Sequence, residues 1–337
     1  MISRLIRTEL YTLPRVLGGI LACGRQGSTN NFFSLCSKNF SLTKKIRLPV
    51  YFYPLAAMLF WGMSFVWTSI LLKYFQPVSI IFIRLVISSL FLFSVSFLFN
   101  KWEKIRRSDF WLFFLSAVFN PFLYFLGENY GLKYSSPTTT SVIIATIPVF
   151  SPIVAYFFFR EKLTLVNIAG LFISFGGVII MLIAKNFALS IDKNGILFLS
   201  EAVLAALIYS VLVRKLTFRY KPLTIIKYQN LIGIFLFFPI FLVFESHSTF
   251  LVKPNLEIVS SFLLLSILAS SLSFVFYTKS IQVLGISKAN IFSNLIPVFT
   301  AIFSFFILAE HFTLQKLAGM FLVIAGVYIS EINRRKV

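Results

Sequence analysis

The sequence predicts an all-α integral membrane protein of ten transmembrane helices, arranged as two inverted five-helix repeats with both termini cytoplasmic. Three observations carry that prediction. Hydrophobic residues make up 58% of the 337-residue chain and charged residues only 12%, roughly half the charged share of a soluble domain. From Tyr51 onward, apolar runs of about twenty residues alternate with short polar breaks, and about twenty is the length that crosses a hydrocarbon core. Finally, the stretch 147–180 recurs without a gap as 296–329, with 15 identities in 34 positions. Shared apolar residues follow from composition. A proline (Pro148/Pro297), a glutamate (Glu161/Glu310), a threonine (Thr164/Thr313) and two glycines (Gly170/Gly319, Gly177/Gly326) in register do not. The chain is a duplicated unit.

The expected spans are 51–73, 77–99, 110–131, 137–159, 164–184, 195–214, 223–244, 258–279, 286–308 and 313–331. Backbone groups inside hydrocarbon must satisfy one another, and segments of this length do so as helices. The first repeat then covers 51–185 and the second 195–331. Residues 1–48 stand apart, with eight Lys/Arg against the single acid Glu9. Their apolar stretch 16–23 is too short to span, so a disordered, basic cytoplasmic leader is expected. Cys23 and Cys36 both fall in this leader, and His247 and His311 lie far apart in loops. No disulfide framework, metal site or cofactor is expected from that pattern.

Orientation follows from the lysines and arginines. With the N-terminus inside, cytoplasmic segments and span ends hold 23 of them and external ones 6, while only Arg84 and Lys227 lie beyond the first or last four residues of a span. This bias places both termini in the cytoplasm and makes the net charge of +20 topogenic rather than a nucleic-acid footprint. Five spans per half is an odd number, so the second half enters the membrane from the opposite side. A weaker match at a shift of 145 pairs PVSII at 77–81 with PLTII at 222–226. Inverted repeats are an architecture of secondary transporters, whose substrate site lies near the midplane at the repeat interface.

Pro148 and Pro297 fall about twelve residues into spans 4 and 9, near mid-bilayer at a rise of 1.5 Å per residue. An interior proline removes a backbone hydrogen bond and bends the helix. The pair reads either as matched breaks bordering a cavity or as ordinary bending, which membrane helices tolerate. Thr164 and Thr313 read as N-caps of spans 5 and 10. Glu161 and Glu310, three residues earlier, suit the positive helix ends as structural turn clasps. The glycines of each pair are seven apart, so they share a helix face and permit close helix contact.

Charges within spans are costly and point to function. Counting from the span ends places Arg84, Glu128 and Glu201 in the outer half of the bilayer. Lys227 falls near the inner edge, where it can snorkel. The three outer charges read either as a structural Arg–Glu pair or as a site whose surplus carboxylate binds a proton or a substrate amine. Arg84, Glu128 and Glu201 are therefore the charge and coupling candidates. Asn120, Tyr124 and Glu128 repeat at i, i+4 and i+8 on span 3, and Trp61, Ser64 and Thr68 share a face of span 1. Glu201 and Tyr209 share a face of span 6, and Asn290 and Asn294 one of span 9, matching Ser141 and Ala145 in the first half. The candidate cavity walls are thus Trp61, Ser64, Asn120, Tyr124, Ser141, Tyr209, Asn290 and Asn294.

This order of features resembles the EamA-type permeases of the drug/metabolite transporter superfamily. The matching residues are Trp61-Gly62-Met63-Ser64-Phe65-Val66 in span 1, Arg84 in span 2 and Gly131-Leu132-Lys133-Tyr134 after span 3. The Pro-Val-Phe, Glu-x-x-Thr, Gly and Gly-Val signature follows in both halves. The resemblance covers 51–331 and implies a central cavity and the movement of small metabolites such as amino acids. Two departures bear on substrate choice. Ala206-Leu207-Ile208-Tyr209 stands where the family often has a tryptophan, and Gln229 holds the position that Arg84 has in the first half.

The function expected is export of a small metabolite, an amino acid or similar, across a bacterial inner membrane by alternating access. Glu128 or Glu201 would carry any proton coupling. The partners expected are a small-molecule substrate and membrane lipids, with no nucleic acid. The rival is a polytopic membrane enzyme acting on lipid-linked substrates. The sequence offers it no paired acids beside a helix end, no metal ligands and no nucleophile–base pair, so no catalytic residue is assigned. A non-transporting scaffold is the third reading, and the paired prolines and intramembrane charges weigh against it.

Overall fold

Hydrocarbon offers the backbone no partners, which leaves a long apolar segment only the helix. In the computed structural model, every regular element among the described residues is helical. The structure describes residues 47–150, 165–182, 192–284, 289, 292–310 and 313–332. The helices are α1 (Arg47–Leu71), α2 (Pro77–Leu98), α3 (Arg107–Lys133), α4 (Pro137–Phe150) and α5 (Leu165–Leu182). They continue as α6 (Lys193–Thr217), α7 (Pro222–Phe250), α8 (Leu256–Leu284), α9 (Phe292–Leu308) and α10 (Leu314–Ile332). Six of them, α1, α2, α3, α6, α7 and α8, are long and apolar enough to cross a membrane. The apolar stretches of α4, α5, α9 and α10 are shorter within the described residues.

Helix starts are written locally. Proline opens α2, α4 and α7, where its missing N–H would have no intrahelical partner in any case. Side chains cap three starts: Ser136 accepts from Thr139 N, Asp192 from Asn194 N and Asn255 from Ile258 N. No side chain of their own caps α2 or α7. The gap at α2 is filled from α7, whose Glu245 carboxylate accepts Ser79 N–H at 2.6 Å and Ser79 Oγ–H at 2.8 Å. Just before α7, Lys221 N–H donates to Glu103 at 3.1 Å, and Glu103 lies just beyond α2. α2 thus begins beside an acid near the end of α7, and α7 beside an acid just beyond α2.

Packing pairs elements at equal positions in the two halves: α2 on α7, α4 on α9 and α5 on α10. The last pair meets backbone to backbone. A Cβ at Gly177 would lie 2.7 Å from Gly319 O, and one at Gly326 would lie 2.7 Å from Gly170 O. The glycines legible as a repeated face are the surface by which α5 and α10 touch.

The largest buried cluster joins α2, α3, α6, α7 and α8 through side chains such as Leu85, Phe113, Phe125, Val213 and Phe237. A second joins α1, α3, α4, α6 and α9 through Met58, Phe65, Leu132, Leu199 and Ile296. A third joins α1, α2 and α8. Trp61 packs against all three, and so marks the place where they meet. Lys227 corrects one expectation: it does not snorkel to the surface. It is fully buried, with its ammonium 4.6 Å from the centre of the Trp102 ring and 5.1 Å from those of Phe93 and Tyr228. Three ring faces thus surround the charge, a favourable cation–π arrangement.

Candidate functional site

Several helices lose their regularity beside the junction of the clusters. Asn120 precedes Pro121 in α3, and a residue before proline is pushed out of the helical region. It takes φ −151° and ψ 117°. That break kinks α3 within Val118–Leu123, and Leu265–Ser273 of α8 winds as π-helix, a form often found at functional sites. In the α4–α9 pair, α4 is interrupted at Ala145–Thr146, immediately before Ile147 and Pro148. α9 starts as a 3-10 turn at Phe292–Leu295, and Pro297 sits in the first turn of the α-helix that follows.

A cavity of about 80 Å³ opens at this junction, room for a handful of waters. From the first half it is lined by Trp61, Ser64 and Phe65 of α1, Arg84 of α2, Asn120, Tyr124, Phe125 and Glu128 of α3, and Ile144 and Ile147 of α4. From the second half it is lined by Ala206, Tyr209 and Ser210 of α6, Phe274 and Tyr277 of α8, and Ser293 and Ile296 of α9. It lies on the seam between the two repeated units.

Two opposite charges face each other inside it. Arg84 Nη1 and Glu128 Oε2 are 3.8 Å apart, and both residues are buried. That separation attracts but is too long for a hydrogen bond. The rest of each side chain is well held. Arg84 Nε donates to Ser270 Oγ at 2.8 Å, and the guanidinium carbon stacks 3.9 Å over the centre of the Phe125 ring. Tyr124 O–H donates to Glu128 Oε1 at 3.0 Å. Arg84 Nη1 has no hydrogen-bond partner among the described residues. A buried guanidinium donor without an acceptor is costly, and here it borders open space. The arrangement can take an anionic group against Arg84 and a cationic or donor group against Glu128.

The structure brings together six of the residues proposed for the walls and charges by polar spacing on α1, α2 and α3, namely Trp61, Ser64, Arg84, Asn120, Tyr124 and Glu128, and adds Tyr209 from α6. Three others do not line the cavity. Ser141 is buried and turns its hydroxyl to Thr138 O at 2.8 Å. Asn294 is buried, and its neighbour Ser293 takes the wall position instead. Glu201 is half-buried on α6, outside the cavity lining. Asn290, Glu161 and Thr164 lie outside the described residues. Thr313 Oγ accepts Lys316 N–H at 3.2 Å, an N-cap bond. Glu310 pairs with Lys316 at 3.3 Å and accepts from Thr138 Oγ at 2.8 Å, so its carboxylate ties α4 to the start of α10.

Spacing arguments missed the aromatic wall of Phe125, Phe274 and Tyr277. Trp61 packs on it, with ring centres 4.9 Å from Phe274 and 5.0 Å from Tyr277. The repeat offset of 149 carries the signal: extended toward the N-terminus, it sets Phe274 opposite Phe125 and Tyr277 opposite Glu128. A second missed group lies at the end of the bundle rich in lysine and arginine. Buried Asp109 accepts from Arg219 Nη1 at 2.7 Å and from Tyr220 O–H at 2.6 Å, and Tyr220 Oη accepts Arg106 N–H at 3.2 Å. It clasps the start of α3 to the loop between α6 and α7. Among the described residues, no three His, Cys, Asp or Glu side chains gather to hold a metal ion.

Comparison with known proteins bears on this geometry. The model of the EamA-like transporter family matches twice, over residues 48–183 and 193–331. The chain belongs to the EamA-like transporter family. Relatives of this EamA-like chain include an uncharacterized transporter of Archaeoglobus fulgidus, 27% identical over 80% of this chain and 94% of its own length. The uncharacterized transporter YcxC of Bacillus subtilis is 26% identical over 88% of this chain and 96% of its own. A solved protein structure superposes with a TM-score of 0.66 over 85% of this chain and 99% of its own at 15% identity, which speaks to the fold alone. As an EamA-like transporter the chain is a multi-pass integral membrane protein. The family is one of transporters.

Proposed function

We propose that this transporter exports a small amphiphilic metabolite of the amino-acid type across a bacterial inner membrane by alternating access. The observation that carries the proposal is the Arg84–Glu128 pair, held at 3.8 Å in the seam cavity with Arg84 Nη1 lacking a hydrogen-bond partner. A substrate carboxylate would take that donor, and its amine would meet Glu128, Tyr124 and Asn120. Its apolar part would lie among Trp61, Phe65, Phe274 and Tyr277. The site lies between two repeated halves, as expected where one five-helix bundle rocks against the other. The cavity is narrow, so this conformation corresponds to a closed site that widens to admit substrate. Glu128 is the candidate for proton coupling, since among the described residues it is the one acid that lines the cavity.

The test is flux in proteoliposomes, using labelled amino acids with and without an imposed pH gradient. Saturable flux of one class, lost in Arg84→Gln, is the expected result. If Glu128→Gln keeps both flux and its gradient dependence, the coupling role is wrong. No flux from any amino acid or related metabolite, with the protein folded, would overturn the substrate class.

A further inference from the structure

Away from the seam cavity, a groove of about 690 Å³ runs along the outside of the bundle. One wall is Phe110 and Phe114 of α3, and the other is Tyr228, Leu231 and Phe235 of α7. Phe110 is 57% exposed and Phe235 69%, so the groove opens sideways, toward the surroundings of the helices. Its walls are apolar except at one end, where Lys104 from the loop between α2 and α3 forms the rim.

The charge at that end is one-sided. Residues 101–107 contain Lys101, Lys104, Arg106 and Arg107 against Glu103 alone. Both nearby acids are already engaged: Glu103 accepts Lys221 N–H, and Asp109 holds Arg219 and Tyr220. Lys104 makes no ion pair among the described residues. Behind the Tyr228 wall sits a further positive charge, the Lys227 ammonium 5.1 Å from the centre of that ring and without a hydrogen-bond partner. An apolar trough with a basic rim is complementary to one kind of molecule in a bilayer. Its acyl chain would lie between α3 and α7 and its anionic headgroup against the rim, as in basic interhelical pockets on the cytoplasmic side. The lysine-rich end of the bundle is the one the charge rule assigns to that side.

We propose that this groove is a binding site for one anionic phospholipid, whose phosphate is held by Lys104 and whose chain lies between Phe114 and Leu231. One wall belongs to the first half of the chain and the other to the second. The bound lipid therefore bridges the two halves and ties their relative position to membrane composition. This goes beyond the transport reading and stands or falls without it.

The test is native mass spectrometry of the full chain released from detergent containing equal phosphatidylglycerol and phosphatidylcholine. Wild type should retain one phosphatidylglycerol in preference to phosphatidylcholine by roughly fivefold, the selectivity of about one basic residue near the surface. Lys104→Gln should bring the ratio near parity. Leu231→Trp, which fills the trough, should lower retention of either lipid, and Lys253→Gln at the opposite end should change neither. Equal retention of both lipids by wild type would overturn the site. So would a Lys104→Gln protein with an unchanged ratio, or a Lys253→Gln protein that loses as much. If Leu231→Trp does not fold, the Lys104→Gln ratio decides alone.

Discussion

Arg84 and Gln229 hold equivalent positions in the two halves, and each donates a hydrogen bond to a serine of the other half. Arg84 Nε reaches Ser270 Oγ at 2.8 Å, and Gln229 Nε2 reaches Ser116 Oγ at 2.9 Å. The polar bond across the seam is therefore common to both repeats, while the charge belongs to the first alone. In the second half the remaining amide oxygen is satisfied internally, by Tyr209 O–H at 3.2 Å. In the first half the guanidinium Nη1 instead lies 3.8 Å from Glu128 across the cavity wall.

Arg84→Gln should thus keep the seam bond but leave Glu128 as an unpaired buried charge, a change that typically costs about 3–5 kcal/mol. Adding Glu128→Gln should recover most of that stability without restoring transport. Thermal unfolding in detergent, read beside flux, separates the two effects. A single Arg84→Gln protein as stable as wild type would show that the pair contributes nothing to folding.

The positions of these residues were partly legible in the sequence, for identifiable reasons. The helix starts expected at 77, 137 and 223 fall on or beside Pro77, Pro137 and Pro222, where proline's restriction is local. Arg84 and Glu128 stood out because charge in an apolar run is rare. Phe274 and Tyr277 did not, since 43 phenylalanines and 13 tyrosines hide any particular ring. Glu245 escaped notice because an acid at a span end looks solvated. Its partner Ser79 lies 166 residues away. Lys227 looked like a snorkelling lysine because Phe93 and Trp102, which enclose it, come from a different half of the sequence.

Glu245 yields a second prediction. Its carboxylate takes Ser79 N–H and Ser79 Oγ–H at the start of α2, where free N–H groups and the helix dipole both favour an anion. Glu245→Ala should lower stability by about 1–2 kcal/mol, the upper range for loss of a cap. Glu245→Gln should lose less, because its amide oxygen still accepts. Equal melting temperatures for the three proteins would refute the cap.

The α5–α10 contact makes a third. Gly177 and Gly326 each approach a carbonyl of the facing helix so closely that a methyl group must push the helices apart. Gly177→Ala or Gly326→Ala should each cost about 1–3 kcal/mol, as overpacking does. Gly176 is the internal control: a Cβ there meets nothing within 4 Å, so Gly176→Ala should leave the melting temperature unchanged or slightly raised.

The last prediction concerns pH at the clasp on the lysine-rich end. Burial, and then the hydrogen bond to Asp109, push the Tyr220 hydroxyl above the usual tyrosine range. The folded protein therefore holds this proton more tightly than the unfolded chain does. The stabilisation is complete below the unfolded value near 10 and is lost as pH rises through the folded one. Wild-type stability should fall above about pH 10 with a component that Tyr220→Phe removes. Asp109→Asn should weaken that component by removing the negative charge that disfavours loss of the phenol proton. The measurement is the melting temperature from pH 8 to pH 11.5 for the three proteins, on the order of one point per half pH unit across the tyrosine range. Parallel curves for wild type and Tyr220→Phe would assign the alkaline loss to other groups and leave the clasp without a titrating member.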